Sequence, residues 1–272
     1  MAALTWLLQA NLRDRGFLAE LMTSLDLLGE AWHAVTLVPF SPLLPEVPPD
    51  IEGGAIVCYG ASFVPRVADR TSWKPGIFFD RDTFRWSTMC ARWQELMFSS
   101  EGRSMTLDGA IEALDDGARS SFVRPDADDK LFDGGVYDAQ TLRVVSKGAA
   151  RESAVIVAEP RPIDAEWRCF VIDREVVDSS EYRRAGQPSL RRGAPPRVIE
   201  LAEQAAARWV PAAVTCIDIA SSGDRFGIVE ANCFNASRFY AVDTRTVLER
   251  VAAHVRFPPS ASVAARSRPI DV

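Results

Sequence analysis

Asp218, Glu230 and Asn232 are the side chains whose types and spacing could do chemistry together. Two apolar runs, Val214 to Ala220 and Phe226 to Ala231, flank Ser-Ser-Gly-Asp-Arg, and such runs joined by glycine-containing turn residues read as a β-hairpin. A turn centred near Asp224 places Asp218 opposite Glu230, with Asn232 on the same face because strand side chains alternate. Directly opposed carboxylates, with β-carbons about 4.5 to 5.5 Å apart, repel unless something positive lies between them. Oxygen-only ligands suit a hard cation such as Mg²⁺, which one or two carboxylates hold together with substrate phosphates. The same spacing also fits an ordinary antiparallel pair whose acids face solvent.

Basic groups lie upstream. The strand Ser120 to Pro125 ends in Arg124, and the loop DADDKLFDGG after it carries Lys130, Phe132, Gly134 and Gly135. Cations beside a glycine-rich turn suit phosphate binding, because glycines let backbone amides approach the anion. A solvated hairpin loop has the same composition. The spacing gives this pair a second strand at Leu142 to Ser146, ending at Lys147. Ala154 to Ala158 is an apolar strand closed by Glu159 and Pro160. Glu166 to Ile172 and Glu175 to Arg183 form a second hairpin turning at Asp173 and Arg174. Alternation puts Glu166, Arg168 and Phe170 on one face, as either a functional acid and base or a structural ion pair. The stretch YRRAGQPSLRRGAPPR reads as a basic loop, mobile without a ligand, that receives an acidic substrate or phosphate or else is a solvated linker.

The elements that position these residues form an alternating chain. Thr5 to Gln9 is a strand, and Phe17, Leu18, Leu21, Met22, Leu25 and Leu28 recur at helical spacing between an N-cap at Asp14 and a stop at Gly29. His33 to Val38, Ala55 to Tyr59 and Gly76 to Phe79 follow as further strands, which predicts a small parallel sheet with helices packed on it. Residues 87 to 116 read as two helices with a break at Gly102 and Ser104, where the domain boundary falls. Pro196 to Trp209 and residues 244 to 255 are the remaining helices. The reading is α/β (α+β): a lobe over 1–102, a domain over 103–258 whose small lobe covers about 118–158 and large lobe about 159–258, and a flexible tail at 259–272.

Composition narrows the function classes. The 272 residues are 47% hydrophobic and 25% charged, as in an ordinary globular protein. Net charge −6 and a pI of about 5.1 supply no global basic field, so nucleic-acid binding would rest on the arginines between 183 and 197 alone. Five scattered cysteines without CxxC spacing fit free thiols in a reducing cytoplasm. No run approaches a membrane span, and the first residues lack a signal peptide's basic start, which predicts a cytoplasmic protein with no membrane partner. GxGxxG and GxxxxGK[ST] are absent, as is a G-x-S-x-G serine, and the histidines, His33 and His254, stand apart from any cluster.

Read in order, FVRP…K.F.GG, VAEP, EWRCFVID and IDIA…GIVEANCFN resemble the ATP-grasp ligases, and within them a branch of small, compact members whose phosphate-binding basic residues depart from the usual pair of lysines. The similarity spans Phe122 to Tyr240, with residues 1 to 100 matching the family's pre-ATP-grasp lobe. The resemblance implies two antiparallel-sheet lobes enclosing ATP. It implies Arg124 and Lys130 on the α- and β-phosphates, Glu159 at the adenine strand, Glu166 near the ribose, and Asp218, Glu230 and Asn232 as Mg²⁺ ligands. Arg168 and Arg183 match basic positions near the transferred phosphate or acyl substrate. Many members have Arg two residues before the first metal-binding Asp; here Cys216 stands there, and Arg168 or Arg183 is the replacement. The implied reaction is ATP-dependent ligation of a small-molecule or peptide carboxylate to an amine through an acyl phosphate. The alternative is a degenerate nucleotide-binding module without catalysis, the reading that Cys216 favours.

Overall fold

Three sheets, each covered by helices, build the chain. Residues 3–38, 41–47, 51, 53–68, 72–117, 120–128 and 131–259 are described in the structure, a computed structural model. The first sheet is parallel, in the order β2-β1-β3-β4, from β1 (Leu4–Gln9), β2 (Ala31–Val35), β3 (Ala55–Tyr59) and β4 (Lys74–Gly76). Its central strand β1 is buried throughout, as a parallel strand covered on both faces must be. Helix α1 (Arg15–Leu28) starts where Asp14 Oδ1 accepts the Phe17 N–H at 3.0 Å and stops at Gly29, whose φ of 67° lies in the left-handed region. Both caps fall where the sequence puts them. A short helix α2 (Val64–Val67) follows β3. The fourth strand is shifted from the expected Gly76 to Phe79. Phe78 has left the sheet, and its N–H bonds Asn235 Oδ1 at 2.7 Å.

Helix α3 (Trp86–Trp93) leads to the second sheet: β5 (Arg103–Thr106), β6 (Ser121–Pro125), β7 (Gly135–Tyr137) and β8 (Ala154–Ala158), antiparallel in the order β5-β8-β6-β7. Helices α4 (Leu107–Gly117) and α5 (Ala139–Val145) cover one face through Leu107, Ile111, Leu114 and Leu142 against Val123 and Val155. The expected strand at Leu142 to Ser146 is this helix α5; the strand returning against β6 is β7. Asp138 decides it by capping the helix, accepting the Thr141 N–H at 2.7 Å, while Ala139 and Leu142 supply a buried i, i+3 pair.

The third sheet is the largest: β9 (Ala165–Ile172), β10 (Glu175–Arg184), β11 (Gln187–Arg192), β12 (Val214–Ser222) and β13 (Arg225–Cys233), antiparallel in the order β11-β10-β9-β12-β13. One face packs Trp167, Cys169, Ile217 and Ile219 beneath α3 and α6 (Pro196–Arg208). The other face has two halves. Phe170, Ile172, Val214 and Cys216 pack against α7 (Thr244–Arg256), α1 and β1, whereas Glu166, Arg168 and Asp218 face a cleft. The segment expected to be a basic loop is instead the end of β10 and all of β11. Ala185 and Gly186, at φ 46° and 74°, make a two-residue turn of the kind that matches strand twist. Its arginines are paired rather than solvated: Arg183 with Glu166, Arg184 with Glu181 and Arg192 with Asp178. The tail residues 260–272 lie outside the described residues, and among the described residues no helix is long and apolar enough to cross a membrane.

Candidate functional site

The acid pair is opposed as the sequence predicts, but by a different route. Ser222 pairs with Arg225 around a two-residue tip whose first residue, Gly223, has φ 55°. Carried along the strands, that register would put Asp218 opposite Val229. A bulge between Asp218 and Ile219 in the pairing leaves Val229 as the extra residue, and Glu230 moves into place across from Asp218. On its other side β12 pairs with β9, and Asp218 stands opposite Arg168.

A row of alternating charge results. Arg168 grips Asp218 with both prongs, Nε to Oδ1 at 2.8 Å and Nη2 to Oδ2 at 2.7 Å. Asn232 Nδ2 donates to Asp218 Oδ2 and to Glu230 Oε1, each at 3.1 Å. Arg124, reaching over from β6, donates from Nη2 to Glu230 Oε2 at 2.8 Å. Two sheets thus meet through one ion pair. Glu166 is the next acid along: its Oε2 accepts from Tyr182 Oη at 2.9 Å and its Oε1 from Arg183 Nη1 at 3.0 Å.

Burial and pairing fix the charge states. Burial alone would lower Arg168, but the Asp218 carboxylate outweighs it and holds the guanidinium far above its usual value. Burial pushes the Asp218 carboxyl up while Arg168 pulls against it. Burial also works against Glu230, yet Arg124 and Asn232 keep that carboxyl below its ordinary range. Because the folded-state value is depressed, Glu230 contributes stability above the unfolded value of about 4.3 and loses it as the pH falls through the folded value. Melting curves between pH 3 and 7 are therefore expected to show a shallower acid limb for Glu230→Gln than for the unaltered chain, and superimposable limbs would contradict this.

All the described site residues except Asn232 line one cleft of about 840 Å³, within the usual range for small-molecule sites. Arg124, Glu159, Glu166, Arg168, Arg183, Asp218 and Glu230 face it, and Asn232 sits just behind on the two acids. Lys130 lies outside the described residues. Cys216 is fully buried among Val214 and Phe234, so no cation stands two residues before Asp218; the guanidinium that reaches this acid comes from the neighbouring strand. Among the described residues no group of three or more His, Cys, Asp and Glu converges. A metal here would rest on two carboxylates, the Asn232 amide oxygen and oxygens of a ligand, a donor set that fits a hard divalent ion bound with a polyphosphate.

Sequence reasoning missed the aromatic wall. Tyr182 and Tyr240 stack with ring centroids 4.8 Å apart and an 11° tilt, and the Arg168 guanidinium lies 5.7 and 5.2 Å from the two rings. Burial, then the Asp218 and Glu166 carboxylates, push the Tyr182 hydroxyl far above its usual value, and burial raises Tyr240, so both stay neutral. Tyr182 is the extra residue of a bulge between the pairs Glu181–Trp167 and Arg183–Glu166, which strict alternation misplaces. Arg161, tied to Glu101 at 2.8 Å, and the apolar side chains of Phe122 and Ile228 complete the lining.

A family model described as an ATP-grasp domain, family 2 of its clade, matches residues 101–250. Among solved structures the chain is similar to a RimK domain ATP-grasp protein from Sphaerobacter thermophilus, at 18% identity and a TM-score of 0.62 over 93% of this chain and 100% of that one. It is similar to the ATP-grasp ligase PsnB, solved with minimal precursor, Mg and ADP, at 14% identity and a TM-score of 0.54 over 93% and 98%. It is also similar to the D-alanine–D-alanine ligase of Bacillus anthracis, at 10% identity and a TM-score of 0.56 over 93% and 94%. At these identities the likeness is one of fold. No curated protein matches the sequence.

Proposed function

The chain belongs to the ATP-grasp family, and from that membership we propose that it is an ATP-dependent ligase joining a carboxylate to an amine. The observation that carries this reading is the row Arg168, Asp218, Asn232, Glu230 and Arg124 along one cleft between two sheets. Arg124, together with Lys130 from its loop, would hold the inner phosphates, and the apolar side chains of Phe122 and Ile228 would flank the base, near Glu159. Glu166, fixed by Tyr182 and Arg183, would meet the ribose. Asp218, Glu230 and Asn232 would hold Mg²⁺, which when bound offsets the negative charge of the triphosphate.

Arg168 and Arg183 would neutralise charge on the γ-phosphoryl group and align the carboxylate with it. A carboxylate oxygen forms a bond to the γ-phosphorus as the bond to the β-phosphate oxygen breaks, giving an acyl phosphate and ADP. The amine nitrogen then attacks the acyl carbon, the C–O bond to phosphate breaks, and the amine gives up a proton as the amide forms. Small molecules and peptides both remain within the substrate class, since the solved relatives include a peptide-bound ligase and a D-alanine ligase. The absence of any long apolar helix among the described residues suits the expected cytoplasmic setting.

The test is trapping. With ATP, Mg²⁺, a pool of amino acids or short peptides and hydroxylamine, the protein is expected to release phosphate and form a hydroxamate, both stopped by EDTA. Nucleotide binding without phosphate release in any carboxylate pool would favour the second reading, a nucleotide-binding module, which the buried Cys216 supports.

A further inference from the structure

Asp126 follows the cation-bearing strand β6 directly, is 5% exposed, and does not line the cleft. Its Oδ1 accepts the Ser87 N–H at 2.7 Å, its Oδ2 accepts the Ser87 hydroxyl at 2.9 Å, and Arg85 Nη1 stands 3.6 Å from Oδ2. The backbone is tied as well: Trp86 N–H donates to the Asp126 carbonyl at 2.9 Å, and Asp126 N–H donates to the Ala154 carbonyl at 3.0 Å. Ser87 lies in the first turn of α3, where backbone N–H groups lack intrahelical partners. Arg85, at the capping position, makes no side-chain cap. A carboxylate from another sheet supplies one instead, with a charge suited to a helix N-terminus.

The same helix is pinned to the opposite wall. Met89 Sδ accepts the backbone N–H of Ala231 at 3.3 Å, and Ala231 stands between Glu230 and Asn232. Farther along, Trp93 Nε1 donates to the carbonyls of Ala205 and Trp209 at 3.1 and 3.0 Å. A closed loop follows: Arg124, two residues back along the chain from Asp126, meets Glu230 at 2.8 Å, while Asp126 and Met89 fasten the two ends of that contact to one short helix.

We propose that Asp126 is a positioning residue for the nucleotide: by locking the exit of β6 to α3 it sets where Arg124 stands relative to Glu230. This rests on the ATP reading and goes beyond it, because Asp126 acts through Arg124 and touches no ligand. A carboxylate serving only general stability would weaken the protein equally whether or not Arg124 were present.

Calorimetric binding of Mg²⁺·ATP to the full chain tests this as a double-mutant cycle. Asp126→Ala is expected to weaken binding about 10-fold in the unaltered background and less than about 2-fold in an Arg124→Ala background. Asp126→Asn, whose amide oxygen still accepts the Ser87 N–H, is expected to stay within about 3-fold. Should Asp126→Ala fail to fold, Ser87→Ala takes its place in the cycle, with an expected loss of about 3-fold that vanishes without Arg124. Equal losses in the two backgrounds, or unchanged affinity in a folded Asp126→Ala chain, overturn the inference while leaving the ligase reading intact. Failure of the unaltered chain to bind Mg²⁺·ATP overturns the nucleotide reading and the inference with it.

Discussion

An Asp218→Ala chain is expected to lose ATP turnover by roughly 1,000-fold or more, the scale on which charge stabilisation at a transferring group operates. It is also expected to melt well below the unaltered protein. Asp218 and Arg168 are a buried pair, with side chains 2% and 8% exposed. Removing one member of such a pair leaves the other charge without compensation, at a cost of about 3 to 5 kcal/mol. The two losses have different causes and can be separated. In Asp218→Ala/Arg168→Met no buried charge is left over, so thermal melts should recover much of the lost stability while turnover stays absent. If the double variant melts no higher than Asp218→Ala, the pair is not what holds this part of the sheet; if Asp218→Ala turns over ATP normally, the acid has no part in the reaction.

Lysine at two of the arginine positions should give opposite results. Arg168→Lys replaces a fork that contacts both Asp218 oxygens, at 2.8 and 2.7 Å, with a single ammonium that cannot reproduce the planar bidentate contact. It also removes the flat group lying beside the Tyr182 and Tyr240 rings. A fall in kcat/KM for ATP of ~100-fold is expected. Arg124→Lys is milder, within about 5-fold, because Arg124 makes one contact to Glu230, through Nη2, and a point charge can supply that. Steady-state kinetics of the two variants decide the matter, and equal losses would show that charge alone matters at both places.

The division of labour between these arginines is only partly legible in the sequence. Alternation puts Glu166, Arg168 and Phe170 on one face, and the structure places the first two in the cleft and Phe170 in the core beside it. The turn at Asp173 and Arg174 is readable as well, and both residues have positive φ, at 52° and 69°. Local signals fail where partners come from far away in the chain. The arginine-rich stretch looks like a loop because its composition is polar, but β10 and β11 pair through it and carboxylates on β9 and β10 neutralise its charges. Asp126 carries no motif, since it caps a helix through Ser87, 39 residues earlier. Tyr182 is invisible because nothing in its neighbours marks a bulge.

The extra residue at Val229 makes the site sensitive to counting. Between the hairpin tip and Glu230 the strand carries an odd residue, so the facing of everything beyond it depends on whether the number of residues is kept. Losing one position there would turn the acid away from its partner without unpairing the strands, whereas a second change of one position nearer the tip could restore it. Homologous sequences that keep the site should therefore vary in hairpin length only by such compensated steps, and this rule can be read from an alignment with no coordinates at all.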